Sequence, residues 1–183
     1  MDPMAMLKRL GEVMPDDAII IEELLSSGMN TVRQLLPATR PDSWFGMRGG
    51  GIGVALPQAA AIQLANPGRP VVALTGDGSL MYSAAALWTC AHYMLPVVTI
   101  VFNNSSYRIL KQRTRAIGDH SAREGIFVAM DLEDPPIDFM ALATAHGVQG
   151  VRVESIPALI EAFKAALASD APTLIEVPVA RAP

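Results

Sequence analysis

Two groups of oxygen-bearing residues follow apolar stretches of this chain and could together bind a divalent cation and a diphosphate. The first is Gly76–Ser79, which reads Gly-Asp-Gly-Ser, and the second is the pair Asn103–Asn104. Mg²⁺ prefers oxygen ligands from one or two side chains, together with substrate phosphates and water. Asp77 and the amide oxygen of Asn104 meet that preference, and the backbone carbonyl of Ser106 is a third candidate ligand. The pattern predicts a magnesium–diphosphate site.

The small residues around Asp77 are typical of a backbone that comes close to phosphate groups. Gly76 and Gly78 lack a Cβ, so the chain can turn tightly beside a diphosphate. Ser79 stands at the start of a helix predicted over residues 80–91, where free N–H groups attract an anion. Gly-Asp-Gly alone is common turn chemistry, and the second group at its spacing is what favours a cofactor site.

The two groups are expected to meet because each follows a predicted buried strand. Residues 71–75 and 97–102 are runs of β-branched and aliphatic side chains, which are typical of strands covered on both faces. Open α/β sheets bind ligands at the carboxyl ends of their strands. We therefore expect Asp77 and Asn104 at one edge of one sheet.

Helix and strand signals alternate along the chain, which predicts an α/β fold: an open parallel sheet of about six strands with helices on both faces. The length of 183 residues fits a single domain, 1–183. Residues 113–136 are polar and contain prolines, so we expect a mobile loop of the kind that forms lids. The helices are predicted over 2–13, 29–36, 53–65, 80–91, 107–112, 138–146 and 157–168, and the strands over 18–21, 71–75, 97–102, 151–153 and 173–177.

Composition and charge argue against several classes of protein. A net charge of −4 argues against a nucleic-acid partner. No apolar run reaches the roughly 18 to 20 residues that cross a bilayer, and the start lacks a signal-peptide pattern, so no membrane association is expected. The single cysteine, Cys90, excludes an internal disulfide and fits a cytoplasmic protein. The chain is 51% apolar and 17% charged, which indicates that part of its surface is an interface.

On these residues the chain resembles the thiamine diphosphate-dependent enzymes. Gly76–Ser79, Asn103–Asn104 and the segment between them are similar to the family's cofactor motif, most of all in benzoylformate decarboxylases and acetolactate synthases. Residues 49–65 and 138–149 continue the likeness, which covers about 6–179. The resemblance implies the family's carboxyl-terminal, diphosphate-binding domain, with thiamine diphosphate and Mg²⁺ as cofactors.

The resemblance also implies cofactor contacts for five further residues. Ser26 and Ser27 would contact the diphosphate from the end of the first strand. Gly50 would offer its carbonyl to the aminopyrimidine ring, and Ile52 would support the cofactor in its bent conformation. Tyr82 resembles a residue close to the diphosphate.

On the substrate side, Ile109 and Leu110 would face the reacting carbon. Pyruvate decarboxylases carry an acidic residue where this chain has Leu110, so the apolar wall implies an aryl or branched 2-oxo acid, or a carboligase that delays protonation. Arg108 and Lys111 could contact a carboxylate, although cationic side chains such as these are more often exposed to solvent without a ligand.

The resemblance covers only the diphosphate-binding half of the family's active site. The family's activating glutamate lies on a pyrimidine-binding domain, and neither that domain nor a central domain has a counterpart in these residues. We expect decarboxylation of a small 2-oxo acid by an assembled hetero- or homo-oligomer, with this chain as a split subunit or an excised domain. An acetolactate synthase-type carboligase subunit and a non-catalytic relic that binds the cofactor are the alternatives.

A dinucleotide-binding module is the competing class, because Gly49–Gly53 is rich in glycine. It fits poorly, since Leu56 stands where Gly-x-Gly-x-x-Gly requires its last glycine. Glu22 and Glu23 could act as acid–base groups but are expected to end a strand at the surface. The three histidines, at positions 92, 120 and 146, lack metal-ligand spacing.

Overall fold

The computed structural model of the chain describes residues 1–28, 31–36, 40–47 and 49–180. Its strands are β1 (Ile19–Glu23), β2 (Trp44–Gly46), β3 (Val71–Gly76), β4 (Val97–Asn103), β5 (Gln149–Arg152) and β6 (Thr173–Pro178). They form one sheet in the order β2-β1-β3-β4-β6-β5, and every neighbouring pair is parallel. The predicted open, six-stranded parallel sheet is confirmed.

Ten helices lie in the described residues and connect or flank these strands. Among them, none has both the length and the apolar character that a membrane span requires. They are α1 (Pro3–Gly11), α2 (Leu25–Gly28), α3 (Val32–Leu35), α4 (Ala55–Ala65), α5 (Asp77–Met81), α6 (Ala86–His92), α7 (Arg108–Ile117), α8 (His120–Glu124), α9 (Phe139–Ala145) and α10 (Ile156–Leu167).

Helices cover both faces of the sheet, as predicted. Successive side chains of a strand point to opposite faces, so Ile20 and Val72 pack into one core with α1 and α10. Ile21 and Ala73 pack into a second core with α4, α6 and α9. This burial on both sides explains why β1, β3 and β4 are nearly continuous runs of apolar residues.

Several helix starts follow from local capping residues. The Asp2 side chain accepts a hydrogen bond from Met4 N, and Pro3 occupies the first turn of α1. Asp138 caps α9 and Ser155 caps α10 in the same way. The helices predicted at 2–13 and 138–146 are present with slightly shorter bounds, and the one predicted at 157–168 is present but begins and ends one residue earlier.

The helix predicted over residues 80–91 is wrong in its continuity, since the structure has two helices there. Helix α5 begins at Asp77, directly after β3, and α6 begins only at Ala86. Between them Tyr82 N donates to Ser79 O and Ser83 N to Leu80 O, so the chain winds more tightly than an α-helix. A tertiary contact that local sequence does not reveal accompanies this turn, because Tyr82 packs against the Gly53 backbone.

Three other segments differ from the prediction. Strand β2 was not predicted because three partly buried residues carry little periodic signal. The loop predicted over 113–136 is partly helical, because α7 continues to Ile117 and α8 follows it. Both helices end at glycines with positive φ, Gly118 and Gly125. Of the helix predicted over 29–36, residues 29 and 30 lie outside the described residues, and α3 covers Val32–Leu35.

Candidate functional site

A cleft of about 390 Å³ opens at the carboxyl ends of β1, β3 and β4. Lys111, one of the two cations considered for a carboxylate, does not line this cleft. The residues expected to contact the cofactor, the metal or the reacting carbon all line it, although their contacts with ligands stay predictions. These residues are Ser26, Ser27, Gly50, Ile52, Gly76, Asp77, Gly78, Ser79, Tyr82, Asn104, Ser106, Ile109 and Leu110.

The register of β3 and β4 brings the two predicted metal-binding groups together. Gly76 pairs with Phe102 across the two strands, so Asp77 and Asn104 both leave the sheet at the same edge. The Asp77 carboxylate then accepts a hydrogen bond from Ser106 N, at 3.2 Å from Oδ2. Groups far apart along the chain are therefore in direct contact.

Asp77 is a buried carboxylate, with 2% of its surface exposed. Burial raises its pKa from 3.8 to about 6, although hydrogen bonds from the backbone N–H groups of Gly78, Ser106 and others oppose the rise. A nearby positive charge favours the ionised form of a carboxyl group. A divalent cation at this position would therefore compensate the cost of burying the charge.

Asn104 carries the polar atom that most directly indicates a missing ligand. The residue is 5% exposed, and its Oδ1 is buried without a hydrogen-bond partner among the described residues. Buried oxygens in proteins are nearly always satisfied, because an unmade hydrogen bond costs free energy. Coordination of a cation would satisfy this oxygen.

The donor set fits Mg²⁺ and a diphosphate. A carboxylate, an amide oxygen and a backbone carbonyl are hard ligands, and phosphate oxygens and water complete such sites. Within the described ranges, no cluster of three or more His, Cys, Asp or Glu side chains could hold a metal ion by itself.

The two glycines beside Asp77 have different surroundings. A Cβ on Gly76 would have Ser79 Oγ, at 4.0 Å, as its nearest neighbour. A Cβ on Gly78 would lie 2.5 Å from Cε1 of Tyr107. Gly78 therefore makes room for an aromatic ring of the protein itself, a reason that the sequence did not reveal.

The expectation that Glu23 lies at the surface is wrong. The residue is 2% exposed and lines the cleft. Its carboxylate accepts hydrogen bonds from Gly53 N at 2.5 Å and from Ala55 N at 2.6 Å. One signal was available in the sequence, because Val54 at the start of α4 has no side chain that could cap the helix.

Glu22, its neighbour, is only partly buried and does not line the cleft. Its Oε1 accepts a hydrogen bond from Leu24 N at 2.9 Å. Burial raises its pKa above the ordinary value.

Two further residues of the cleft, Tyr107 and Arg108, directly follow Ser106, a predicted metal ligand. Burial and the nearby Tyr82 and Asp77 raise the pKa of the Tyr107 phenol. Arg108 also lines the cleft, and its Nε is buried without a partner in the described part of the chain. Lys111, the other cation considered, instead pairs with Asp131.

Comparison with known proteins places these features in a family. Residues 26–177 match the family described as "Thiamine pyrophosphate enzyme, C-terminal TPP binding domain". The chain is 37% identical over 164 residues to the benzoylformate decarboxylase of Pseudomonas aeruginosa, which covers 90% of this chain and 30% of the relative. It is 32% identical over 180 residues to the acetolactate synthase large subunit of Parasynechococcus marenigrum, covering 98% and 28% of the two chains.

A solved structure agrees with these sequences. The thiamine diphosphate-dependent 4-hydroxybenzoylformate decarboxylase of Rhodococcus jostii RHA1 superimposes with a TM-score of 0.87 and 36% sequence identity. The match covers 100% of this chain and 33% of that enzyme. The chain therefore spans about a third of the length of the relatives it matches.

Proposed function

The chain belongs to the thiamine pyrophosphate enzyme family as its carboxyl-terminal cofactor-binding domain, and from that premise we propose that it is the diphosphate-binding part of a 2-oxo acid decarboxylase of the benzoylformate decarboxylase type. In this family the domain binds the diphosphate of thiamine diphosphate with Mg²⁺. The observation that carries the proposal is the buried, unpartnered Oδ1 of Asn104, at the edge where Asp77 contacts Ser106.

The chain's own residues bind and orient the cofactor in this proposal. Asp77, Asn104 and the carbonyl of Ser106 would hold Mg²⁺, and Ser26 and Ser27 would donate hydrogen bonds to the diphosphate. When bound, thiamine diphosphate supplies the electron sink that lets the bond between a keto carbon and its carboxylate break. Anchoring the diphosphate at a rigid sheet edge fixes where that reactive group lies.

The other end of the cleft would shape the cofactor and receive the substrate. Gly50 and Ile52 would contact the aminopyrimidine and support the bent conformation. Tyr82 lines the cleft beside the helix that starts at Asp77 and would lie near the diphosphate. Ile109 and Leu110 would surround the apolar part of an aryl or branched 2-oxo acid and exclude water.

A carboligase of the acetolactate synthase type is the second candidate. Ile109 and Leu110 favour it because neither side chain can donate a proton, and a carboligase must delay protonation until a second carbonyl arrives. The likeness to an acetolactate synthase large subunit supports the same reading. The products formed from a 2-oxo acid with and without an acceptor aldehyde would separate the two activities.

Catalysis in this proposal requires a pyrimidine-binding domain that supplies the activating glutamate. The two carboxylates that line the cleft in the described residues already have other roles, since Asp77 faces the metal site and Glu23 binds backbone N–H groups. The missing glutamate would come from another domain or subunit of an oligomer. A cytoplasmic location stays a prediction.

Calorimetric titration of the chain tests the cofactor assignment. We expect thiamine diphosphate to bind in the presence of Mg²⁺ and to bind much more weakly when the metal is removed with EDTA. Nicotinamide dinucleotides should give no binding heat. Binding of a nicotinamide dinucleotide, with none of thiamine diphosphate, would reverse the assignment.

A further inference from the structure

The backbone at Gly53 is held between two distant parts of the fold. On one side, Glu23 at the end of β1 accepts its N–H at 2.5 Å. On the other, a Cβ at position 53 would lie 2.5 Å from the Cβ of Tyr82, and φ at Gly53 is +86°. Only glycine combines that conformation with so close an approach.

The same carboxylate also caps α4 from a distance. The first N–H groups of a helix lack partners within the helix and need a capping acceptor. Val54 occupies the cap position and offers none, whereas the second oxygen of Glu23 accepts Ala55 N at 2.6 Å. A negative charge at a helix N-terminus is further favoured by the helix dipole. Both oxygens of Glu23 therefore accept hydrogen bonds from the segment that joins residues 49–53, called the glycine loop below, to α4.

This connection links the loop to the edge that carries Asp77. Strand β1 lies beside β3, with Glu23 paired to Thr75, two residues before Asp77. Gly50 and Ile52 both line the cleft, and they lie three residues and one residue before Gly53. The loop is thus tied to the metal-binding edge in two ways: through Glu23 at the end of β1, and through the packing of Gly53 against Tyr82.

We propose that Glu23 is a positioning residue for cofactor binding. By holding Gly53 and Ala55 it fixes Ile52 and Gly50 at the distance from Asp77 that thiamine diphosphate requires. It does not bind the metal ion. The inference rests on the proposed function, because it takes the cofactor to span the cleft from Asp77 to Ile52.

Two ligands separate this role from a general effect on the fold. Inorganic diphosphate with Mg²⁺ contacts only the metal-binding edge, whereas thiamine diphosphate with Mg²⁺ also needs the glycine loop. In Glu23→Gln one oxygen is replaced by an NH₂ group that faces a backbone N–H. We expect thiamine diphosphate to bind about tenfold more weakly, because a buried donor loses its acceptor. Binding of inorganic diphosphate should change by less than about twofold.

Glu22→Gln is the matched control. Glu22 precedes Glu23 on the same strand, lies outside the cleft and uses one oxygen, which the amide retains for Leu24 N. Both ligands should bind this variant as they bind the unmodified chain. Thermal unfolding of each variant, followed by circular dichroism, shows whether it is folded. If Glu23→Gln does not fold, Glu23→Asp is measured by the same criterion, because its shorter side chain cannot reach both N–H groups.

Selective weakening of thiamine diphosphate binding in the Glu23 variant supports the inference. Equal affinity for both ligands in a folded Glu23 variant, or equal loss of both, overturns it and leaves the proposed function standing. If the unmodified chain binds neither ligand with Mg²⁺, the proposed function fails, and the inference fails with it.

Discussion

At the scale of single residues, the cleft places polar atoms where the protein alone does not satisfy them. Asp77 carries a charge that burial disfavours, and Asn104 presents an oxygen without a partner in the described residues. Each feature is unfavourable in the ligand-free chain, and a bound cation would compensate both. Such groups make stability depend on ligand and on pH.

The stability of the metal-free chain should depend on pH through the carboxyl group of Asp77. Its pKa is about 6 in the folded chain, above the ordinary 3.8, so the folded state binds this proton more tightly than the unfolded state. The stability that protonation contributes is complete below about pH 4 and is lost as pH rises through 6. Relative to Asp77→Asn, the metal-free chain should lose up to about 3 kcal/mol of unfolding free energy between pH 4 and pH 7.5.

Urea unfolding of both chains in EDTA, at several pH values, measures this difference. The comparison uses the change with pH, so a constant effect of the substitution cancels. A difference that stays constant, or that grows in favour of the native chain as pH rises, would contradict the assigned environment of Asp77.

The two glycines beside Asp77 give a second residue-scale prediction. Gly78→Ala should lower the unfolding free energy by about 1–3 kcal/mol, because its Cβ would overlap the Tyr107 ring. Gly76→Ala is the matched control, since its φ is −85° and the nearest atom lies 4.0 Å away. It should cost less than about 1 kcal/mol. Equal losses of stability in the two variants, measured by chemical denaturation, would show that Tyr107 does not occupy this space.

At the scale of elements, the sequence predicted strands and helices that follow a periodic pattern of apolar residues. It missed features that depend on a contact with one residue far away in the chain. The buried runs of β3 and β4, each followed by polar residues, predicted both the sheet and the edge where Asp77 and Asn104 meet. Glu23 was missed because its partners lie about 30 residues further along the chain. The break between α5 and α6 was missed for the same reason, since it accompanies the contact of Tyr82 with Gly53.

A buried network that joins three strands supplies the element-scale prediction. Glu176 on β6 is 2% exposed and accepts hydrogen bonds from Asn103 on β4 at 2.7 Å and from Arg152 on β5 at 2.9 Å. Glu176→Ala should destabilise the chain by roughly 1–3 kcal/mol, because it removes the acceptor of the Asn103 amide, whereas Arg152, whose side chain is 49% exposed, can still bond water. The amide protons of β5, an edge strand, should then exchange faster with solvent.

Glu154→Ala is the control for this network. Its carboxylate approaches the same Arg152 at 3.5 Å but is 76% exposed. Exposed ion pairs contribute little, so the change should stay within about 0.5 kcal/mol. If the two variants lose similar stability, the buried network does not tie the strands together as described.

At the scale of the whole molecule, the chain corresponds to the carboxyl-terminal cofactor-binding domain of its relatives. The chain matches about a third of their length. With thiamine diphosphate, Mg²⁺ and benzoylformate, we expect no measurable decarboxylation by the chain alone. Activity should appear when a pyrimidine-binding domain of this family is added, and Asp77→Ala should remove it again. Sustained turnover by the purified chain without that domain would refute the proposal that the active site needs residues from both domains.

In the proposed site, Asp77 and Asn104 bind one divalent ion that holds the diphosphate of the cofactor. Crystals grown with thiamine diphosphate and Mn²⁺ in place of Mg²⁺ test it most directly, because anomalous scattering locates the manganese. We expect one anomalous peak within coordination distance of the Asp77 carboxylate, Asn104 Oδ1, the Ser106 carbonyl and the diphosphate. A peak elsewhere in the molecule, or a bound diphosphate with no metal between it and these two side chains, would contradict it.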